Sequence, residues 1–445
     1  MGDSPEDTGT PRTSPTTDTS PVTAVLVRPP RTVDTLVRYL LTACLVRTAS
    51  GGAAVGLFTL AVRTGGSGGA TLGGVLAALL TAPYVVGPWL AGVLDRALDA
   101  RRVLAASFVL FGVALAAAAL LLGRIHFLVV AGLVTVAGMC GPLVTGGLSS
   151  RLAAMDGWDE HGRRRAEGWD SATYGVGNTF GPAAVGAVGA ALGARTAVLC
   201  LGAAAALAAF TLLTLPAGAP PVKGTEPLRV RQTFRIIATV GQLRRVMVAM
   251  ALTALVAGGI TVVATTLGRQ LAGSAEAGAA LAAVYGFGYL AGSVAAGIVP
   301  LPGEPERTST LLVAVSAATV ACCAVAPSYT VAVVTFAATG AAGALLFTAT
   351  LAVRSVHAPP EARAQVYVSM GALKMAVSSA GTALAGSLMA LGPRMLLGAG
   401  CAVTLFALAS VLGDRRISAR RNPVPVTEGD SSVRSKSRKF SSPIP

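Results

Sequence analysis

Only two cations fall inside the long apolar runs that fill most of this 445-residue chain: Arg47 and Lys374. Each lies about two turns into its run, roughly 12 Å from the nearer end at 1.5 Å per residue. A charge at that depth in a bilayer must be hydrated, paired or in contact with a ligand. The chemistry on offer is therefore ion recognition rather than bond cleavage. Lys374 reads as facing an internal cavity. Arg47 reads first as snorkelling or as half of a structural pair, because its run can begin a turn later, and it stays a cavity candidate. Asn178, Tyr174 and Tyr285 are neutral polar candidates for the same cavity, with Trp89 beside them, and each is equally readable as packing. No Asp or Glu is expected deep in any run, with Asp170 nearest, in the first turn of its own. A proton-driven carrier often uses a buried carboxylate, and none stands out.

Catalytic and metal chemistry find no support. His126, His161 and His357 fall in connecting segments, and Cys44, Cys140, Cys200, Cys322, Cys323 and Cys401 lie within apolar ones. No ligand-like spacing joins them, so neither an enzyme, a metal site nor a cofactor is expected.

The elements that position these residues are membrane spans. The chain is 53% apolar and 12% charged, with a mean hydropathy of +0.67, and runs long enough to cross a hydrocarbon core recur throughout. The expected spans are about 39–62, 71–94, 103–123, 127–149, 169–192 and 196–216, then 246–270, 278–300, 309–327, 330–352, 367–390 and 395–413. Residues 1–35 and 414–445 read as disordered cytoplasmic tails. Residues 217–245 form a basic cytoplasmic linker, with an interfacial amphipathic helix expected in LRVRQTFRIIATVGQLRR. The layout is an all-α polytopic protein with two six-helix halves, 36–216 and 246–413. A shift of 198 superimposes Arg165-Ala166 on Arg363-Ala364, Trp169 on Tyr367 and Ser171 on Ser369, which fits a repeat of the halves.

The fifth span carries Gly177-x-x-x-Gly181-Pro182-x-x-x-Gly186. In water its glycines and proline weaken a helix, whereas in lipid small residues allow close helix contact. The core resembles the glycine-proline motif on the fifth helix of major facilitator superfamily transporters, notably their antiporters, with Val185 where that motif has a further glycine. The superficially nucleotide-like GVGNTFG has the wrong spacing and no strand before it. The turn Asp95-Arg96-Ala97-Leu98-Asp99-Ala100-Arg101-Arg102 resembles the family's motif between its second and third helices. It departs from that motif in Ala91 and in two inserted residues. The resemblance implies twelve helices, alternating access and a cytoplasmic latch made by Asp95, Arg96, Arg101 and Arg102; a solvated basic turn is the plainer reading. The eighth span repeats the glycine spacing, with Gly286, Gly288, Gly292 and Gly297 matching Gly175, Gly177, Gly181 and Gly186. In the family the fifth and eighth helices face each other, so the resemblance implies that the two tracks slide on one another. Ordinary packing within each half is the alternative.

The net charge of +15 has a simple cause in this layout. With the N-terminus inside, 28 of the 35 Lys and Arg lie on the cytoplasmic side and five outside, so both termini are expected in the cytoplasm and no nucleic acid is needed to explain the charge. The preference for Arg over Lys and for Ala and Gly fits a GC-rich, actinobacterial source. Together with this layout, the resemblance implies a monomeric secondary transporter in the bacterial plasma membrane, with the lipid bilayer and a small-molecule substrate as partners. An efflux antiporter of multidrug or small-molecule type is the expectation, with proton coupling left open. The alternatives are an importer or uniporter of an anionic or neutral solute, and a non-transporting membrane sensor or scaffold.

Overall fold

The structure, a computed structural model, describes residues 32–65, 68–153, 159–216 and 230–421. The expected tails and the first half of the linker lie largely outside these residues. Every regular element among the described residues is helical, as a chain in hydrocarbon requires when it must satisfy its own backbone hydrogen bonds.

Among the described residues twelve long segments follow one another. In the first half they are Thr32–Thr64, Thr71–Arg96, Ala100–Leu121, Phe127–Ala153, Glu160–Leu192 and Ala194–Leu213. In the second they are Gly241–Ala272, Ala275–Ile298, Pro305–Ala324, Tyr329–His357, Arg363–Ser387 and Pro393–Arg421. Ten are apolar enough throughout to cross a membrane on length and hydropathy alone. The fifth and eleventh, which carry more polar residues, complete the set. A short helix, Val230–Thr239, sits in the linker, with Thr233 and Ile237 inward and Arg231, Phe234 and Arg235 outward.

Local chemistry sets the ends. Asp99, Asp159, Ser274 and Ser328 accept a backbone N–H as caps of the third, fifth, eighth and tenth spans. Gly273 stops the seventh span in a left-handed turn at φ 76°, which a residue with a Cβ would resist. Two spans are broken midway. The second passes through a tight turn at Ala82–Val86 around Pro83, and the fourth widens at Leu143–Gly147 just after Pro142.

The packing repeats. The first span packs on the fifth and sixth, the third on the sixth and the second on the fourth; the seventh packs on the eleventh and twelfth, the ninth on the twelfth and the eighth on the tenth. Adding six to each number converts one set into the other. Between the halves the fifth meets the eighth and the second meets the eleventh. Large apolar side chains such as Phe210, Leu128 and Phe406 point outward, where lipid rather than water is their solvent.

Three sequence expectations need correction. The fifth span begins at Glu160, not near 169, because Asp159 caps a helix whose first charged turns extend beyond the apolar run. Asp170 therefore lies about three turns inside a helix rather than in its first turn. The tenth span continues to His357, which carries Arg354 into the bundle instead of a loop.

Candidate functional site

Arg47 and Asp170 form a buried ion pair, Nη1 to Oδ1 at 2.7 Å. Arg47 also donates to the Asp170 carbonyl at 2.9 Å, to the Thr173 hydroxyl and to Ser149 Oγ at 2.9 Å. Asp170 accepts from Tyr39 at 2.6 Å and from Ser149 at 2.7 Å. The guanidinium lies 3.6 Å over the Tyr174 ring, whose hydroxyl meets Ser149 at 2.9 Å. Such a pair is held by its completeness: losing one partner strands the other charge in a low-dielectric interior. It ties the first, fourth and fifth spans together.

On the other side of Tyr174 is a chamber of about 720 Å³ between the two halves. Arg47, Asn178, Tyr174, Tyr285 and Lys374 all lie on its wall, so the structure brings five of the six cavity candidates to one place. Trp89 is elsewhere, 59% exposed on the outside of the bundle. Tyr84 reaches the wall because Gly141 has no side chain; a Cβ there would overlap the Tyr84 ring.

Arg354, which the sequence reading assigned to a loop, also lines the chamber and is 2% exposed. It donates to the Thr350 carbonyl at 3.0 Å and to its hydroxyl at 2.9 Å. Lys374 Nζ sits 3.6 Å from the centre of the Phe347 ring, and the Arg354 guanidinium is 5.7 Å from the same ring. Neither cation is in an ion pair among the described residues. No Asp or Glu lines the chamber there either. With Arg47 held by Asp170, Lys374 and Arg354 are the basic groups on the wall without an ion-pair partner among the described residues.

The arginine-rich end of the bundle is closed by contacts between the halves. Asp95 does not pair with Arg96, Arg101 or Arg102 as expected. Its Oδ1 and Oδ2 accept the backbone N–H groups of Ala364 at 2.9 Å and Gln365 at 3.0 Å, capping the eleventh span. An acid at a helix N-terminus satisfies orphan donors and the dipole together, and this contact was hidden from sequence because the partner is backbone. Arg101 and Arg102 pair instead with Asp99, and the hydrogen bonds from Arg101, above all, depress the Asp99 carboxyl below its usual range. On the opposite side of the boundary Arg164 donates to the carbonyls of Leu301, at 3.0 Å, and of Gly303, beyond the end of the eighth span. Nearby Ser355 donates to Glu167, and Arg363 to the Ala153 carbonyl at 3.2 Å.

The glycine tracks divide between partners: Gly175, Gly286 and Gly297 lie at the expected contact of the fifth and eighth spans, and the other members do not. Gly177 and Gly181 press on the backbone of the first span at Arg47, Thr48, Gly51 and Gly52, while Gly288 and Gly292 press on the tenth at Ala337 and Ala341. Gly186 touches nothing within 4 Å. The fifth and eighth spans do meet, but through Gly168 on Ala296, Gly175 on Leu290, and Gly297 under the Trp169 ring. Equal spacing in two helices gives each a smooth face without saying which neighbour uses it.

No sequence-family profile matches the chain, and no curated protein matches it. Solved structures do. The human organic anion transporter MFSD10 (TETRAN) aligns with a TM-score of 0.72 over 86% of this chain and 100% of its own, at 15% identity. The fold is that of the major facilitator superfamily. A bacterial homologue of the iron transporter ferroportin, in its outward-facing state, aligns with a TM-score of 0.70 at 14% identity over 86% of this chain and 99% of its own. The proton:xylose symporter XylE follows with 0.64 and 14%, over 86% and 96%. The facilitator fold accounts for the paired six-helix halves and for a chamber at their boundary.

Proposed function

We propose that this chain is a secondary transporter that moves a small organic molecule across a bacterial plasma membrane by alternating access, working as an exporter. The observation that carries the reading is a chamber of about 720 Å³ between two packed halves, shut at one end by contacts that a rocking motion can break. That volume lies within the range of small-molecule sites. The ferroportin homologue with the same fold was captured outward-facing, and closure at the arginine-rich end fits the same state. Export is favoured by the resemblance of Gly177, Gly181, Pro182 and Gly186 to the antiporter motif. The structural neighbours are transporters rather than enzymes.

Everted membrane vesicles test the proposal. Vesicles carrying the chain are energised and offered a panel of labelled organic acids, amines and neutral amphiphiles. Accumulation above that of vesicles lacking the chain is expected for at least one compound. No accumulation across the panel, with the protein present and folded, refutes export. Collapsing the pH gradient in the same vesicles decides proton coupling.

A further inference from the structure

We propose that the chamber and a side pocket beside it form a two-part site for an organic anion: an acidic head group on Lys374 and Arg354, and an apolar arm in the second half. The inference rests on the transport reading above and names its substrate class.

The head-group half follows from charge. Lys374 faces the chamber with neither a hydrogen bond nor an ion pair among the described residues, and only the face of Phe347 beside it. A ring face offsets part of the cost of a desolvated ammonium, and an anion offsets far more. Arg354 is held by Thr350 with its guanidinium 5.7 Å from the same ring and 5.3 Å from that of Tyr367. Two cations flanking one aromatic ring, with no carboxylate on the wall, select a carboxylate, sulfonate or phosphate and reject an amine. Arg47 is not counted, because Asp170 already holds it.

The arm half follows from shape. Lys374, Phe347 and Tyr285 border both the chamber and a separate pocket of about 80 Å³ inside the second half. Its lining is mainly apolar, with Ile260, Val320 and Leu346 among the walls. Of the hydroxyls on this wall, those of Thr253, Thr339, Thr350 and Thr404 donate to main-chain carbonyls of their own helices. Ser316 Oγ lines the pocket, is buried and has no hydrogen-bond partner among the described residues. A buried hydroxyl left without a partner is costly, and a ligand whose arm carries an oxygen or nitrogen at this depth supplies one. The site thus fits an acid joined to a slender apolar arm, with the charge at the chamber and the arm behind Phe347.

The test is binding to the purified full chain in detergent. The probes are a series of phenyl-substituted alkanoates from benzoate to 6-phenylhexanoate, with 4-phenylbutyramide and 4-phenylbutylamine as neutral and cationic controls. Affinity is expected to rise with arm length and to be about ten- to a hundredfold weaker for the amide than for the matching acid, as for loss of a charged hydrogen bond. Lys374→Met should weaken the preference for acid over amide, with Arg354 still present, and Lys374→Arg should keep it. Ser316→Leu, which fills the pocket, should flatten the dependence on arm length while sparing benzoate. The unliganded melting temperature of each variant shows that it is folded. Equal binding of acid, amide and amine overturns the proposal, as does failure of every acid to bind or an acid preference that Lys374→Met leaves undiminished in folded protein. Acids that bind in this pattern yet never cross vesicles would instead sink the transport reading and leave the site standing.

Discussion

Removing the Asp95 cap should open the arginine-rich end without unfolding either half. Asp95 belongs to the second span and holds two backbone N–H groups of the eleventh, at 2.9 and 3.0 Å. Those bonds exist only while the halves touch there. Loss of a helix cap costs about 0.5–2 kcal/mol, and loss of an acid from a helix N-terminus about 0.3–1 kcal/mol. Water caps the freed N–H groups once the end opens, so Asp95→Ala penalises the closed state alone, by about 1–2 kcal/mol, or five- to thirtyfold in the equilibrium. An open state populated at about 1% should rise to roughly 5–25%. Leu98 and Val356 are exposed residues of different halves at this end. Spin labels at Leu98→Cys and Val356→Cys, in a chain whose six native cysteines are replaced, report the separation by pulsed electron resonance. A longer-distance population should grow in Asp95→Ala and grow less in Asp95→Asn, which retains one acceptor. Identical distance distributions in all three proteins, each folded, would refute the capping argument.

Other expectations follow from the same contacts. Arg47→Ala should lower the yield and melting temperature of folded protein, since an uncompensated buried carboxylate costs about 3–5 kcal/mol; the double change Arg47→Leu with Asp170→Leu should restore much of the loss, and failure to do so would show that the pair does more than neutralise itself. Gly181→Leu should reduce folded protein rather than merely stall a cycle, because its Cβ meets the backbone of Thr48, Gly51 and Gly52. A cysteine pair at Gly181 and Gly292 should not cross-link in any state, whereas a pair at Thr179 and Gly286, where an added Cβ lies 3.8 Å from the Thr179 hydroxyl, should link. In the second half, Arg245 pairs with Glu306 at 2.7 Å and Asp414 at 3.0 Å. Arg245→Met should therefore lower the melting temperature of the folded chain without altering ligand charge preference; an altered preference would place this cluster in the transport cycle.

Much of the architecture could be read from the sequence, because a bilayer leaves few solutions for long apolar runs. What failed was length at the basic ends. Glu160–Arg165 look like a loop when scored by polarity, yet they continue a helix capped by Asp159, and the error hid the depth of Asp170. The same bias stopped the tenth span near 352 and left Arg354 out of the cavity. Lys374, Arg47 and the aromatic candidates were visible because a charge or ring in an apolar run needs a reason. Their partners were not, since Arg47 and Asp170 lie 123 positions apart and no local spacing joins them. Ser316 gave no signal at all: a serine in an apolar helix ordinarily bonds its own backbone.

The closure at the arginine-rich end is written half in side chains and half in main chain. Asp95 grips amide groups and Arg164 grips carbonyl oxygens, and every amino acid but proline offers both. Ala364 and Leu301 can therefore drift over generations while the grip persists, so paired substitutions between relatives should not report these contacts. A gate built this way inherits its register from the placement of helix ends rather than from matched residues. That gives one physical route by which a shared architecture can persist at a sequence identity as low as 14–15%.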